Sequence, residues 1–467
     1  MMTLLEKQRR SWLQQGPPTL SQRRQALSRL REAVLLRRQA LEDAVSTDFG
    51  YRSRHETALL ELVGVVQAID YLRRHLPAFM RPQRRQVALT YRSGHAWVEY
   101  QPKGVVGIMV PWNYPVSLAL IPLATAVAAG NRVMLKPSEF TPQTNIVLQS
   151  LLADCFEETE VAVVTGDADT GAAFSALPFD HLLFTGSTAV GHQVMRAAAG
   201  HLVPLTLELG GKSPVVVARG HVNARTLDSI VFGKLSNSGQ TCVAPDYALV
   251  HQDDMAAFVR QYDASVRSAY PEGPAGKDCA SIISEKHHQR LQGLLADARR
   301  HGAQIIESGL HPERAGQRER CMAPTLVIGA DDGMAIMQQE IFGPILLVHP
   351  YRTMAEVIAH INARPRPLAL YYFGTQDEAC RQLLSRTTSG NVGINHTLLH
   401  VAQHDLPFGG IGPSGMGACH GIEGFRSMSH AKGIFKQGRW NLPAFLRPPY
   451  GRLADTVLRY LLPRRRP

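Results

Sequence analysis

The chain predicts an α/β fold in two domains, and three observations carry that reading. At 467 residues it exceeds what one hydrophobic core normally holds. From Gly104 onward, short strand-like apolar runs alternate with helical ones, which is the pattern of a parallel sheet covered by helices. A second alternation of the same kind runs from Val215 to about Asn395.

The elements follow in order. From Leu20 to Val45 the apolar positions Leu27, Leu30, Val34, Leu41 and Val45 recur at helical intervals, with Ser21 as the expected N-cap. A further helix is expected from about Glu56 to His75. Around Ser93-Gly94 the period changes to two, with Val87, Leu89 and Tyr91 before and Ala96, Val98 and Tyr100 after, which predicts a hairpin over about 84–101. Prolines 82 and 102 flank it, so it should leave the main body. Five strands then precede residue 210: Val105 to Val110, Arg132 to Lys136, Val161 to Thr165, His181 to Thr185 and Leu202 to Glu208. They suggest a dinucleotide-binding fold. The second region contains Tyr247 to His251, Thr325 to Ile328, Ile345 to His349 and Leu368 to Phe373. Near the end, Leu453, Val457, Leu458, Leu461 and Leu462 form a short apolar stripe among Arg447, Arg452, Arg459 and Arg464 to Arg466. Such a helix is expected to pack on the body or on a dimer partner, with at most salt-sensitive contact with an anionic membrane.

Composition narrows the function. The formal charge is +11, but no helix-turn-helix, zinc finger or aromatic platform accompanies it, which speaks against nucleic acid. Cysteines at 155, 242, 279, 321, 380 and 419 show no Cys-x-x-Cys pair and no disulfide framework, so a reducing cytoplasm is expected. Met1 to Gln15 has no signal-peptide core, and the apolar stretch Val116 to Ala129 is too short to span a bilayer. His396, His400 and His404 are spaced for one helix face, yet they read as lining a substrate entrance or an interface, and no metal is expected.

Cys242, in Asn237-Ser238-Gly239-Gln240-Thr241-Cys242-Val243-Ala244-Pro245, is the nucleophile candidate, in a loop whose amides could lower its pKa. Glu208 ends an apolar strand before Gly210 and Gly211, which would let the backbone pass close to a ligand, and could take a proton from the thiol or from water. Asn113, in Pro111-Trp112-Asn113-Tyr114-Pro115, is either a turn residue or an amide donor. No Gly-x-Gly-x-x-Gly follows the first strand; instead Phe184-Thr185-Gly186-Ser187-Thr188-Ala189-Val190-Gly191 joins a strand to a helix, where a pyrophosphate could bind. Lys136-Pro137-Ser138-Glu139 places a carboxylate where ribose hydroxyls would be accepted and a 2′-phosphate repelled.

Together these segments resemble the NAD(P)-dependent aldehyde dehydrogenase superfamily, and Glu340-Ile341-Phe342-Gly343-Pro344 and Pro407-Phe408-Gly409-Gly410 extend the likeness. The resemblance implies a Rossmann-like dinucleotide-binding domain over 1–210 with the hairpin as an oligomerisation element. It further implies an α/β catalytic domain over 211–395 and an active-site mouth, oligomerisation segment and basic tail over 396–467. It makes Cys242 the residue that attacks the aldehyde, Asn113 the oxyanion donor and Glu208 the activator of water, so that a free acid is released. Trp112, Lys136, Glu139, Gly186, Ser187, Gly191, Leu209, Glu340 and Phe342 would bind the cofactor, NAD in preference to NADP. The run from Thr241 to Tyr247 is similar to the class 3 branch, commonly dimers. Asp48-Phe49-Gly50 and Asn395-His396-Thr397-Leu398-Leu399-His400 resemble bacterial coniferyl-aldehyde dehydrogenases, which implies aromatic or medium- to long-chain aliphatic aldehydes as substrates. A cofactor-independent thiol hydrolase and a non-catalytic protein that keeps the fold remain alternatives.

Overall fold

The computed structural model describes residues 1–88, 91–309, 318–440 and 447–462. The N-terminal segment, read only as polar and basic, forms a helix over Met2–Gln15. Its buried Gln8 donates to the carbonyls of Val133 (3.1 Å) and Glu158 (3.0 Å), which fastens the helix to the first large sheet. The helix expected from Leu20 to Val45 is two helices, Leu20–Leu36 and Arg38–Asp48, broken at Arg37. The break leaves Leu27, Leu30, Val34, Leu41 and Val45 all in one core. Thr19, rather than Ser21, is the N-cap, in a reciprocal capping box with Gln22. The next helix starts at Arg54 and contains a π turn over Ala58–Leu62 before continuing as Val63–Phe79. That extra residue in the turn accompanies a fully buried Glu61.

The predicted hairpin differs from the observed one. Strand β1 (Gln83–Arg85) pairs with β2 (His95–Pro102) over three residues only, Arg84 opposite Trp97. Val87 is irregular, Tyr91 lies in a turn, and Leu89 falls outside the described residues. Strand β2 is the middle strand of a three-stranded sheet with a longer partner from the far end of the chain on its other side, so a short pairing with β1 is enough to complete it.

Strands β3 (Val105–Met109), β4 (Arg132–Lys136), β5 (Val161–Val163), β6 (His181–Gly186) and β7 (Leu205–Leu209) run parallel in the order β7-β6-β3-β4-β5. The chain goes outward from β3 in one direction and then resumes on its other side. The switch lies between β3 and β6, where open α/β sheets bind ligands beyond the carboxyl ends of their strands. Leu202, assigned to the last strand from sequence, instead turns out to solvent, 90% exposed with φ 54°.

The second large sheet holds β8 (Ser213–Val217), β9 (Pro245–His251), β10 (Gln304–Glu307), β11 (Thr325–Ile328), β12 (Ile345–Tyr351), β13 (Ala369–Phe373) and β14 (Asn391–Ile394). Its order is β10-β11-β12-β9-β8-β13-β14, parallel except where β10 meets β11. Alternate residues serve opposite faces: Val216, Leu249 and Leu347 enter one core, Val215, Val217, Ala248, Val250 and Val348 the other.

The end of the chain then comes back. Strand β15 (Gly415–Met416) adds antiparallel to β7, with Gly415 opposite Glu208. Strand β16 (Ser429–Lys436) pairs with all of β2, from Ser429 opposite Pro102 to Lys436 opposite His95. The last helix, Arg452–Leu461, buries Ala454 but leaves Leu453, Leu458 and Leu461 about half exposed. Among the described residues no helix is long and apolar enough to cross a membrane.

Candidate active site

Cys242 stands at the end of a turn that few sequences could form. Asn237 and Ser238 are both left-handed, each with φ 51°, and Gly239 follows at φ 76°. Non-glycine residues in that region are strained, so the surroundings must hold them there. A Cβ on Gly239 would lie 2.2 Å from the Gly343 carbonyl, so only glycine fits the third position. The buried Gln240 amide donates to Asn237 O (3.0 Å) and Ser281 O (3.1 Å) and accepts from Ile283 N–H (2.9 Å). Thr241 shares a 2.8 Å hydrogen bond with the Tyr114 hydroxyl.

Asn113 is 2% exposed and tied to that turn in two directions. Its Nδ2 donates to Gln240 O at 3.1 Å, and its own carbonyl accepts from Asn237 Nδ2 at 2.9 Å. The same carbonyl accepts from Arg52 Nη1 at 3.2 Å. Arg52 and Glu61 are both fully buried and paired at 3.0 Å. Glu61 also accepts from the N–H groups of Val116 (2.8 Å) and Ser117 (3.0 Å), at the start of the helix Ser117–Ala129 that follows Asn113. One amide hydrogen of Asn113 is thus engaged at rest and the other is available.

Glu208, on β7, is buried, and neither carboxyl oxygen has an aligned hydrogen-bond partner among the described residues. Burial raises its pKa well above the carboxylate range, and only the adjacent Cys419 thiol works against that. The Cys242 thiol is pushed up to about 12, by burial first and then by the charges of Glu340 and Glu208; the backbone N–H groups of Cys242 and Val243 oppose the shift. The expectation that amides would lower this pKa therefore fails on balance: they act in that direction, but burial dominates. At rest the thiol is neutral.

Gly210, expected to let the backbone approach a ligand, makes room for a side chain instead. A Cβ there would sit 2.1 Å from Glu340 Oε2. Glu340 itself is raised to about 8, chiefly by burial and the nearby Asp246, against the Gly211 N–H, Lys212 and Arg290. Phe342, with φ 52°, sets its ring perpendicular to Trp112 at 5.5 Å, and His287 meets Trp112 at 5.1 Å. Gly186 ends β6; Ser187 caps the helix Thr188–Ala199 by accepting from Val190 N–H. A Cβ on Gly191 would press 2.7 Å from Leu209 Cδ2, so glycine is needed for helix and sheet to meet. Lys136 and Glu139 pair at 3.2 Å at the end of β4, with Glu139 exposed.

The predicted residues therefore lie at or just after the carboxyl ends of β3, β4, β6 and β7, in the turn before β9 and in the segment before β12. His396, His400 and His404 do not share a helix face, because 396–404 is a series of turns. His396 meets Phe232 at 5.9 Å, whereas His400 and His404 converge with His420. Sequence reading missed Arg52, Glu61, Gln240, Cys419 and His420. The pair Arg52 and Glu61 looks like ordinary helix-surface charge until the π turn brings Glu61 inward.

A family model described as the aldehyde dehydrogenase family matches residues 7–434. The chain belongs to the aldehyde dehydrogenase family. A probable coniferyl aldehyde dehydrogenase of Pseudomonas aeruginosa is 48% identical over 449 residues, 96% of this chain and 93% of that protein. The structure of Staphylococcus aureus AldH in a substrate-bound state superposes with a TM-score of 0.92 at 34% identity, covering 98% of this chain and 99% of that one. A Mycobacterium tuberculosis aldehyde dehydrogenase complexed with NAD+ superposes with a TM-score of 0.83 at 28% identity, over 94% and 90% of the two chains. This aldehyde dehydrogenase is an oxidoreductase that oxidises aldehydes with NAD(P). The hydrolase and non-catalytic readings give way to it. The residues present are compatible with a dinucleotide: Ser187 opens the helix Thr188–Ala199 at the carboxyl end of β6, beside the switch point, where backbone N–H groups can receive a pyrophosphate.

Proposed function

We propose that Cys242 is the nucleophile, Asn113 the oxyanion donor and Glu208 the activator of water in the oxidation of an aromatic aldehyde of the coniferyl type to its acid. The observation that carries this reading is the clamp between Asn113 and the Asn237–Cys242 turn, since a donor and a nucleophile serve one carbonyl only if fixed to each other. The neutral thiol gives up its proton to solvent water as sulfur attacks the carbonyl carbon. The oxygen takes the electron pair and is received by the free Asn113 amide hydrogen and the Cys242 N–H, donors each worth about 3 kcal/mol of barrier. A nicotinamide dinucleotide, when bound, would supply the two-electron acceptor for the hydride, which is the oxidation that leaves a thioester on Cys242. Glu208, once it has itself lost its proton to solvent, takes a proton from water as the hydroxyl adds to the thioester carbon, and that proton restores the thiol as the acid leaves.

Trp112, Lys136, Glu139, Gly186, Ser187, Gly191, Leu209, Glu340 and Phe342 hold the cofactor in this reading. Glu139 favours NAD, because a carboxylate accepts ribose hydroxyls and repels a 2′-phosphate; the neighbouring Lys136 leaves NADP usable. A homodimer in the cytoplasm, with at most salt-sensitive contact between the C-terminal helix and anionic membranes, completes the proposal. It is tested with purified protein, NAD or NADP, and a panel of aldehydes, following NADH or NADPH at 340 nm. The expected result is turnover of coniferyl aldehyde at least about tenfold more efficient with NAD, the difference narrowing in Glu139→Gln. Equal use of both cofactors by both proteins would refute the role of Glu139.

A further inference from the structure

A cavity of about 310 Å³ opens at the amino ends of β4 and β5, the opposite end of β4 from Lys136. Small-molecule sites begin at about this size, roughly 300 Å³. One side is the helix Leu20–Leu36, on which Gln22, Gln25, Ala26 and Arg29 recur every three or four residues and so share a face. Gln15 and Pro18, in the segment that leads into that helix, form another side.

The charged residues that line the cavity are three arginines and one acid: Arg23, Arg29, Arg132 and Glu160. Arg132, 6% exposed, pairs with Glu160 at 3.2 Å and also donates to Gln15 Oε1. Arg23 is 4% exposed, yet its hydrogen bonds go to neutral groups, the carbonyls of Pro18 (2.9 Å) and Ala128 (3.1 Å). Burial lowers its pKa to about 10, with no acid nearby to oppose the shift. Arg29 donates to the carbonyl of Cys155 at 3.2 Å and lies 6.0 Å from the Phe156 ring. Two positive charges are therefore left without a carboxylate among the described residues. Water can bond a buried guanidinium but cannot neutralise it, and buried charges are normally paired. The amides lean the same way. Oε1 of Gln15 is taken by Arg132 and Oε1 of Gln22 by Thr19, which leaves their nitrogens to donate.

We propose that this cavity binds a small phosphate monoester, with Arg23 and Arg29 receiving the phosphate oxygens and the amides of Gln15 and Gln22 the oxygens of the organic body. Two uncompensated charges match the charge of about −1.5 to −2 that such a group carries at pH 7. Forked guanidinium groups suit its oxygens, and the volume leaves room for more than the phosphate. Because the cavity borders the first two helices and β4 at once, its ligand fastens them together and stabilises the folded chain. The site is separate from the chemistry of Cys242 and does not depend on the reaction assigned there.

Isothermal titration calorimetry of the full chain at constant ionic strength tests this, with glycerol 3-phosphate, inorganic phosphate and succinate as probes. Glycerol 3-phosphate is expected to bind once per chain, at least about tenfold tighter than succinate. Arg29 is exposed, so Arg29→Gln should keep the melting temperature of the free protein and weaken binding about tenfold; unchanged affinity in that variant overturns the proposal. Arg23→Gln should lose the heat of binding altogether. Inorganic phosphate binding as tightly as glycerol 3-phosphate overturns the role of the organic body and assigns the cavity to free phosphate. Saturating NAD should leave the affinity unchanged. Loss of binding in its presence would put the phosphate in the dinucleotide crevice instead, and absence of heat with all three probes overturns the site.

Discussion

At the scale of single residues, the site is governed by burial of two ionisable groups that face each other. Cys242→Ala is expected to abolish NADH formation from aldehydes, while Cys155→Ala and Cys380→Ala, far from the turn in separate cores, keep most of it. Near-normal NADH formation by the Cys242 variant would refute the nucleophile. Glu208→Gln should give one burst of NADH and then slow release, because the amide cannot take the proton from water; equal slowing of both phases points to thiol activation instead. The same variant carries a stability signature. Glu208 is raised in the folded chain, so folding favours its protonated form. Its contribution is present below the ordinary carboxyl pKa of 4.5 and is lost as pH rises toward its folded value. Glu208→Gln should therefore unfold at higher temperature than the unaltered protein at alkaline pH, with the gap closing in acid. A gap independent of pH would contradict the buried neutral carboxyl.

At the scale of elements, the strand that carries Glu208 and the helix that follows Asn113 are each fixed by something distant in sequence. Arg52, Glu61 and the N–H groups of Val116 and Ser117 form one buried network, and removing one ion from such a pair strands the other. Arg52→Met is expected to cost about 3–5 kcal/mol of unfolding free energy, and the double change Arg52→Met with Glu61→Gln clearly less than the two single changes added. Urea titrations of the four proteins check this; strict additivity would mean that the two residues act apart. The network also shows what sequence could and could not reveal. The parallel strands were legible because both faces are buried and the runs Val105 to Met109 and Val215 to Val217 are apolar throughout. Cys242, Asn113, Glu208 and Glu340 stood out by their motifs. The first hairpin strand was misplaced because alternation at Val87 to Tyr91 does not show where pairing with β2 stops, and that ladder ends at Arg85. Arg52, Cys419 and His420 gave no local signal at all, since their meaning lies in turns that bring Arg52 beside Asn113, Cys419 beside Glu208 and His420 beside Phe408.

At the scale of the whole molecule, the chain's last segments complete structures begun by its first. Ending the chain after Ser427 removes β16 and leaves β2 with three paired residues. Such a chain should elute from size-exclusion chromatography as aggregate, because a long bare edge invites pairing with other chains. Ending it after Gly438 keeps β16 and removes residues 439–467, among them the exposed helix Arg452–Leu461, and should leave aldehyde oxidation in place; loss of activity there would assign those residues a role in the site. Strand β15 makes the larger point, because it pairs with the residue proposed to activate water, Gly415 opposite Glu208. During synthesis at about 5–20 residues per second, β7 leaves the ribosome roughly 10–40 s before β15 can reach it. Throughout that interval Glu208 sits on an unfinished border and Cys419 has not yet been made. The parallel strands of that sheet can assemble early, but on the proposed role of Glu208 a chain stopped before residue 415 lacks the strand that closes the border beside it and should fail to release the acid.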